Sequence, residues 1–100
     1  MIDLKKIQKD IFQNKLNKNF NTTDVNKEFC YTYGELGEAY DAYRKKKDDL
    51  GEELTDVVIY LMGLSEMLKI DLEDEILKKI SKNEKREYEN INGVNIRTKG

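Results

Sequence analysis

Apolar residues recur at helical spacing in four stretches of the chain, and no stretch before residue 88 shows the alternation typical of a β-strand. The pattern predicts helices over roughly residues 2–17, from residues 22–24 to residue 44, from residue 50 to about 68, and from about 71 to 88. The third stretch carries the longest apolar series and is predicted to be the central core helix. Its members are Leu50, Leu54, Val57, Val58, Leu61, Leu64 and Leu68. The chain is therefore predicted to be all-α, with a four-helix bundle-like fold.

The second stretch is predicted to pack in the core along one side of its helix. That side carries Val25, Phe29, Tyr33, Leu36, Tyr40 and Tyr43. Cys30 is also expected in the core as a small apolar residue, because a lone cysteine cannot form an internal disulfide.

The pattern changes near residue 88, and residues 1–88 are predicted to form a single helical domain. In the tail, Asn92 and Gly93 lie between Ile91 and Val94, an arrangement typical of a tight β-hairpin turn. An isolated two-stranded hairpin is only marginally stable in water. Residues 89–100 are therefore either a hairpin or disordered.

The composition disfavours several classes of function. The 100 residues carry 18 basic and 20 acidic side chains, and the net charge of -2 gives no field that would attract nucleic acid or an anionic membrane. No apolar run approaches the roughly 20 residues of a membrane span, and no signal peptide is apparent, so a cytoplasmic location is expected. The chain has no histidine, so catalysis would depend on carboxylates, Lys, Tyr and a hard cation. A chain this polar buries a modest core, which favours an oligomer.

Two predicted helices carry acidic pairs at the same spacing. Glu35 and Glu38 lie in the second helix and Glu53 and Asp56 in the third, each pair three residues apart and so on one side of its helix. If the helices pack together, the four carboxylates can form a cluster that repels itself unless a cation such as Mg²⁺, Mn²⁺ or Ca²⁺ lies among them. On spacing alone, solvated acidic faces are the simpler interpretation in a chain with 20 acidic residues.

Three blocks in order resemble the MazG family of all-α nucleoside triphosphate pyrophosphohydrolases. They are Gly-Glu-Leu-Gly-Glu-Ala at 34–39, Gly-Glu-Glu-Leu-Thr-Asp at 51–56 with the apolar run that follows, and a later group of Lys79, Asn83 and Arg86. The resemblance covers most of residues 25–88. It implies Mg²⁺, with Mn²⁺ as the alternative, bound by Glu35, Glu38, Glu53 and Asp56. It further implies hydrolysis of a nucleoside triphosphate to the monophosphate and pyrophosphate, in a homodimer or homotetramer.

The resemblance also implies that Lys79, Asn83 and Arg86 contact phosphate or ribose oxygens of the substrate. They lie at i, i+4 and i+7 and so form one stripe of the fourth predicted helix. Without the resemblance, the same stripe would be interpreted as a solvated basic helix end. The base, the sugar and the choice between a triphosphate and a diphosphate stay open.

Gly34 departs from the family pattern. The family has Glu-Glu-x-x-Glu where this chain has Gly34, Glu35 and Glu38. Because glycine in mid-helix costs roughly 0.5–1 kcal/mol relative to alanine, either a carboxylate has been lost or a crowded backbone requires the small residue. A second alignment would place Thr32 at the first position, but the frame with both Glu35 and Glu38 keeps the full pair. The alternative function is a catalytically inactive helical module that binds a nucleotide or a protein partner.

Overall fold

The computed structural model describes residues 1–99, which form four α-helices followed by a two-stranded antiparallel sheet. The elements are α1 Leu4–Asn17, α2 Val25–Arg44, α3 Leu50–Met67, α4 Leu72–Glu84, β1 Glu87–Ile91 and β2 Val94–Lys99. The predicted all-α class is confirmed for the body of the chain. The fourth helix was predicted to reach about Tyr88, which is wrong: α4 ends at Glu84 because the backbone becomes extended at Glu87 to pair with β2.

Short polar side chains define where the helices begin. Asp3, Asp24 and Asp71 precede α1, α2 and α4, and each carboxylate accepts a hydrogen bond from the backbone N–H three residues later. These bonds satisfy N–H groups that have no partner inside the helix. The helix starts were therefore encoded locally.

The first three helices end in the same way. Asn19, Lys46 and Lys69 have φ of 57°, 53° and 57°, the left-handed conformation that closes a helix. The following N–H groups then bond back to carbonyl groups in the last turn, for example Phe20 N–H to the Lys15 carbonyl at 2.9 Å. Three sharp turns result, without glycine.

The centre of the fold is an antiparallel pair formed by α2 and α3, joined by residues 45–49. α1 packs on one side of α3, and α4 packs mainly on α1. The buried apolar residues are few for a chain of this length: Ala39, Ala42, Met62 and Leu64. The alanines give α2 little side-chain bulk on its buried side.

Most of the apolar side predicted for α2 is exposed, contrary to the expectation. Tyr33 retains 74% of its accessible surface and Tyr43 retains 67%. Cys30 is also exposed rather than buried in the core. α1 covers only one side of the central pair, and no described element covers the opposite side.

We call that opposite side the uncovered face. It consists of Phe29, Tyr33, Leu36, Tyr40 and Tyr43 of α2 together with Leu54, Val58 and Leu61 of α3. Each row is displaced by one residue from the inward row of its helix, and the helices are antiparallel, so both rows point to the same side of the pair. The two rows therefore form one continuous apolar surface.

The hairpin extends from the body. Its strands pair with Ile91 opposite Val94 across the Asn92 and Gly93 turn, both of which have positive φ. All of its strand residues are exposed, and no helix packs substantially against it. The radius of gyration is 16.9 Å, against about 13 Å for a compact chain of 100 residues.

Gln8 joins three helices. Its side chain, 4% exposed, donates to the Glu66 carboxylate at 3.0 Å and to the Ile70 carbonyl at 2.7 Å, and it accepts from the Leu72 N–H at 3.2 Å. These bonds tie α1 to the end of α3 and the start of α4. Lys5 adds ion pairs to Asp71 and Asp74 at the same junction.

We expect Gln8→Ala to lower the free energy of unfolding by about 1–3 kcal/mol, because buried groups at the junction lose their partner. Gln13→Ala is the matched control, since Gln13 is exposed and bonds only Asn17 within α1. Urea denaturation followed by circular dichroism measures both variants. Equal losses would show that the junction contributes no more than helix propensity.

Candidate functional site

Three carboxylates converge where α2 and α3 lie side by side. Glu35 and Glu38 from α2 and Glu53 from α3 each offer an oxygen atom, and these atoms all lie within 4.8 Å of one another. The short connection between antiparallel helices sets the register that brings the middle of α2 against the first turns of α3. We call Glu35, Glu38 and Glu53 the acidic cluster.

Asp56 lies on α3 beside the cluster but is exposed and does not join the group of three. Its charge nevertheless contributes to the raised pKa values of both Glu35 and Glu53. The structure thus brings three of the four predicted ligands together and keeps the fourth within electrostatic range.

The cluster is electrostatically strained. Burial, followed by the charge of Glu38, raises the pKa of Glu35 above its usual value. Burial, followed by the charges of Asp49 and Glu38, raises the pKa of Glu53. Within residues 1–99, no ion pair involves a cluster carboxylate, and the Glu53 Oε2 atom is buried without a hydrogen-bond partner. Ionised carboxylate oxygens accept hydrogen bonds but cannot donate them to one another, and they are the ligands that hard divalent cations prefer. The cluster therefore has the ligand atoms that a divalent cation requires.

The predicted substrate residues lie on a different part of the molecule. Lys79 and Asn83 are on α4, and Arg86 follows its end; Arg86 Nη1 donates to Asn83 Oδ1 at 3.1 Å. No hydrogen bond or ion pair between described residues connects these side chains to the acidic cluster, because α4 packs mainly on α1. Arg86 Nε is buried without a partner.

Gly34 has open space around it. A Cβ atom placed there would meet nothing within 4 Å, and its φ is not positive. Crowding by other residues of the same chain therefore does not explain this glycine. What remains is the absence of a carboxylate one residue before Glu35.

A cavity of about 640 Å³ opens between α1, the loop after it, α2 and α3, and none of the three cluster residues lines it. At its wall lies a buried ion pair, with the Lys15 Nζ atom 2.7 Å from the Glu28 Oε2 atom and side chains 11% and 2% exposed. Neither residue belongs to the site predicted from the sequence. A signal did exist for Glu28, which lies two turns before Glu35 on the same side of α2.

Tyr60 lies between the cavity and the cluster. It lines the cavity and follows Asp56 by one turn on α3. Burial, followed by the charges of Glu35 and Glu28, raises the pKa of its hydroxyl. The Tyr60 hydroxyl is therefore within electrostatic range of a carboxylate of the cluster, Glu35, and of one at the cavity wall, Glu28.

The sequence profile of the MazG nucleotide pyrophosphohydrolase domain matches residues 24–90. The chain belongs to this family. The MazG match includes α2, α3, α4 and every predicted ligand, whereas α1 lies outside it. Membership implies a nucleotide substrate. Comparisons with curated proteins and with solved structures gave no match.

Among the described residues, none of the helices combines the length and apolar character needed to span a membrane.

Metal binding can be tested without turnover. We expect Mg²⁺ or Mn²⁺ to raise the melting temperature of the wild type, by the equivalent of about 2.7 kcal/mol at a hundredfold excess over Kd. Glu53→Gln should lose most of this rise, because it removes a cluster ligand and part of the negative charge. Glu52→Gln, its exposed neighbour outside the cluster, should keep the rise. An identical rise in both variants would contradict a metal site here.

Proposed function

We propose that this MazG protein is a Mg²⁺-dependent nucleotide pyrophosphohydrolase, active also with Mn²⁺, that converts a nucleoside triphosphate to the monophosphate and pyrophosphate. The observation that carries the proposal is the convergence of Glu35, Glu38 and Glu53 from two helices inside the family match. Raised pKa values and an unpartnered buried oxygen support the presence of a cation among them.

In this proposal Glu35, Glu38, Glu53 and Asp56 hold the cation. When bound, the cation supplies charge neutralisation on the phosphates and a water molecule of lowered pKa. The water oxygen forms a bond to the α-phosphorus, and the bond from that phosphorus to the bridging oxygen breaks, releasing pyrophosphate. A carboxylate of the group accepts the proton of the water. Lys79, Asn83 and Arg86 lie apart from this group within one chain, so their predicted contact with phosphate or ribose oxygens would have to come from a second copy.

We expect pyrophosphate release from nucleoside triphosphates in the presence of Mg²⁺, measured with a coupled pyrophosphate assay over a panel of ribo- and deoxyribonucleotides. Glu38→Gln or Asp56→Asn should lower the rate about a hundredfold or more, because charge stabilisation by a metal contributes several kcal/mol. Both variants should remain folded, since each reduces repulsion. Glu52→Gln should retain the wild-type rate. A panel without turnover would contradict the proposal.

A second candidate function rests on Gly34. The open space around it shows that the missing carboxylate is not replaced by a packing role within the chain, which favours an inactive nucleotide-binding or partner-binding module. This candidate predicts that the wild type releases no pyrophosphate from any nucleotide of the panel. Gly34→Glu should then gain pyrophosphate release, and Gly34→Ala should not. Pyrophosphate release by the wild type would contradict this candidate function.

We also propose that the chain functions as a homodimer joined through the uncovered face. The accessible surface is 7919 Å², whereas a folded monomer of this mass exposes about 5,900 Å². The excess of roughly 2,000 Å² includes the exposed hairpin as well as the uncovered face, and it is of the size that one chain buries in a large obligate interface. A second copy can supply a matching apolar surface through two-fold symmetry.

Sedimentation equilibrium is expected to give twice the chain mass of 11.8 kDa. Val58→Asp places a charge on the uncovered face and should shift the equilibrium to the monomer, with a lower melting temperature, because the charge would be desolvated in the dimer. Lys78→Asp on α4, away from that face, is the control. A monomeric wild type, or a tetramer, would overturn the dimer.

A further inference from the structure

The last part of the chain forms an arm that stands apart from the helical body. The arm consists of α4 and the hairpin, residues 72–99. Its base is fixed, because Lys5 of α1 forms ion pairs with Asp71 and Asp74. Every residue from 74 to 85 is exposed, and in the part of the chain that the structure describes neither α4 nor the hairpin packs substantially on α2 or α3.

The hairpin has one aliphatic face and one polar face. Side chains alternate along a strand, and residues that pair directly lie on the same face. Ile91 pairs with Val94, and Ile96 pairs with Glu89, so three aliphatic side chains lie together. We call Ile91, Val94 and Ile96 the aliphatic face; they retain 47%, 60% and 45% of their accessible surface. The polar face carries Tyr88, Asn90, Asn95 and Arg97.

This hairpin requires a further surface for stability. An isolated two-stranded hairpin is only marginally stable in water, and packing on a helix is one way to stabilise it. Only Lys85 and Arg86 join the hairpin to α4. Because α4 is anchored at its base, the hairpin is held at the far end of a helix about 20 Å long, where its own chain supplies no such contact. The surface that covers the aliphatic face therefore comes from another molecule.

The exposed area of the chain indicates how much a partner must cover. The accessible surface of 7919 Å² exceeds that of an ordinary folded monomer by roughly 2,000 Å². At ~150–250 Å² for a whole aromatic side chain, the half-exposed side chains of the uncovered face account for roughly 900 Å². The arm exposes further apolar surface through Ile76, Leu77 and Ile80 of α4 and through the aliphatic face. A dimer that buried the uncovered face alone would leave a large part of the excess in water.

The arm begins at the edge of the uncovered face. Leu68, which ends α3, is 40% exposed and lies seven residues after Leu61, on the same side of the helix. The row of Leu54 and Leu61 therefore continues to the connection that leads into α4. The strands add about 17–20 Å to the length of α4, whereas α2 is about 30 Å long. An arm of this length that starts beside the interface can lie along a partner docked there.

We propose that the hairpin docks on a second copy of this chain. The aliphatic face packs on the helical body of the partner, beside the uncovered face, and two-fold symmetry brings the partner's hairpin to the first chain in the same way. The inference rests on the homodimer proposed above. It extends the interface beyond the family match, which ends at residue 90.

Substitutions on the two faces of β2 test this contact. Ile96→Lys places a charge on the aliphatic face and should raise the dissociation constant of the dimer about tenfold or more, because the lysine would lose water in the contact. Asn95→Lys adds the same charge on the polar face and should change the constant less than about twofold. Sedimentation equilibrium of the full-length variants measures both constants. Equal constants for the two variants would overturn the proposal.

Contact between the two copies can be measured directly in the wild type. In a dimer of one ¹³C-labelled and one unlabelled chain, isotope-filtered NOE spectra report only contacts between the chains. We expect NOEs from the methyl groups of Ile91, Val94 and Ile96 to side chains of the unlabelled copy. A dimer without these NOEs would overturn the proposal, and this measurement decides if Ile96→Lys unfolds the hairpin.

The homodimer and the docked hairpin can fail separately. A monomeric wild type would contradict both. Dissociation by Val58→Asp but not by Ile96→Lys would refute the docked hairpin and keep the interface at the uncovered face. The reverse result would keep the hairpin contact and refute that interface. None of these measurements depends on pyrophosphate release, so they decide the question for an active and an inactive chain alike.

Discussion

The register between α2 and α3 is the constraint on which the other features depend. A connection of residues 45–49 forces the two helices to run antiparallel, and this register sets Glu35 and Glu38 opposite the start of α3, where Glu53 lies. Burial and, after it, the neighbouring like charges raise the pKa values of Glu35 and Glu53, so both oppose the packing that brings these carboxylates together. The fold therefore maintains an unfavourable arrangement at one place, which is typical of sites that bind a cation.

Other elements of the chain pack on only one side of the α2 and α3 pair. α1 shields one side, α4 packs on α1, and the hairpin extends away, so the uncovered face remains in water. The small buried core of Ala39, Ala42, Met62 and Leu64 offers limited hydrophobic stabilisation for a domain of this size. A second copy on this face would extend the core across the interface. In that arrangement catalytic geometry and folding stability would depend on the same two helices.

The acidic cluster and the cavity differ in chemical character. The cluster offers exposed and half-buried carboxylates suited to a divalent cation and phosphates. The cavity has an apolar body, and the buried ion pair of Lys15 and Glu28 lies in its wall. The two regions also use different elements. The cluster lies on α2 and α3, inside the family match, whereas the cavity is also lined by α1, which lies outside it. The proposed chemistry therefore lies inside the family match, whereas Lys15 and Ile11 of the cavity wall come from the part outside it.

The sequence by itself determined the presence of four helices and the acidic pairs, because these depend on residues within one or two turns of each other. It also predicted the family through three ordered blocks. Only the tertiary structure decided that Tyr33 and Cys30 face solvent, that Asp56 is outside the group of three, and that α4 lies apart from the acidic cluster. It alone paired Lys15 with Glu28 across helices. The physical reason is that helical periodicity gives the direction of a side chain around its own axis, whereas burial, pairing and charge depend on which other helix occupies that direction.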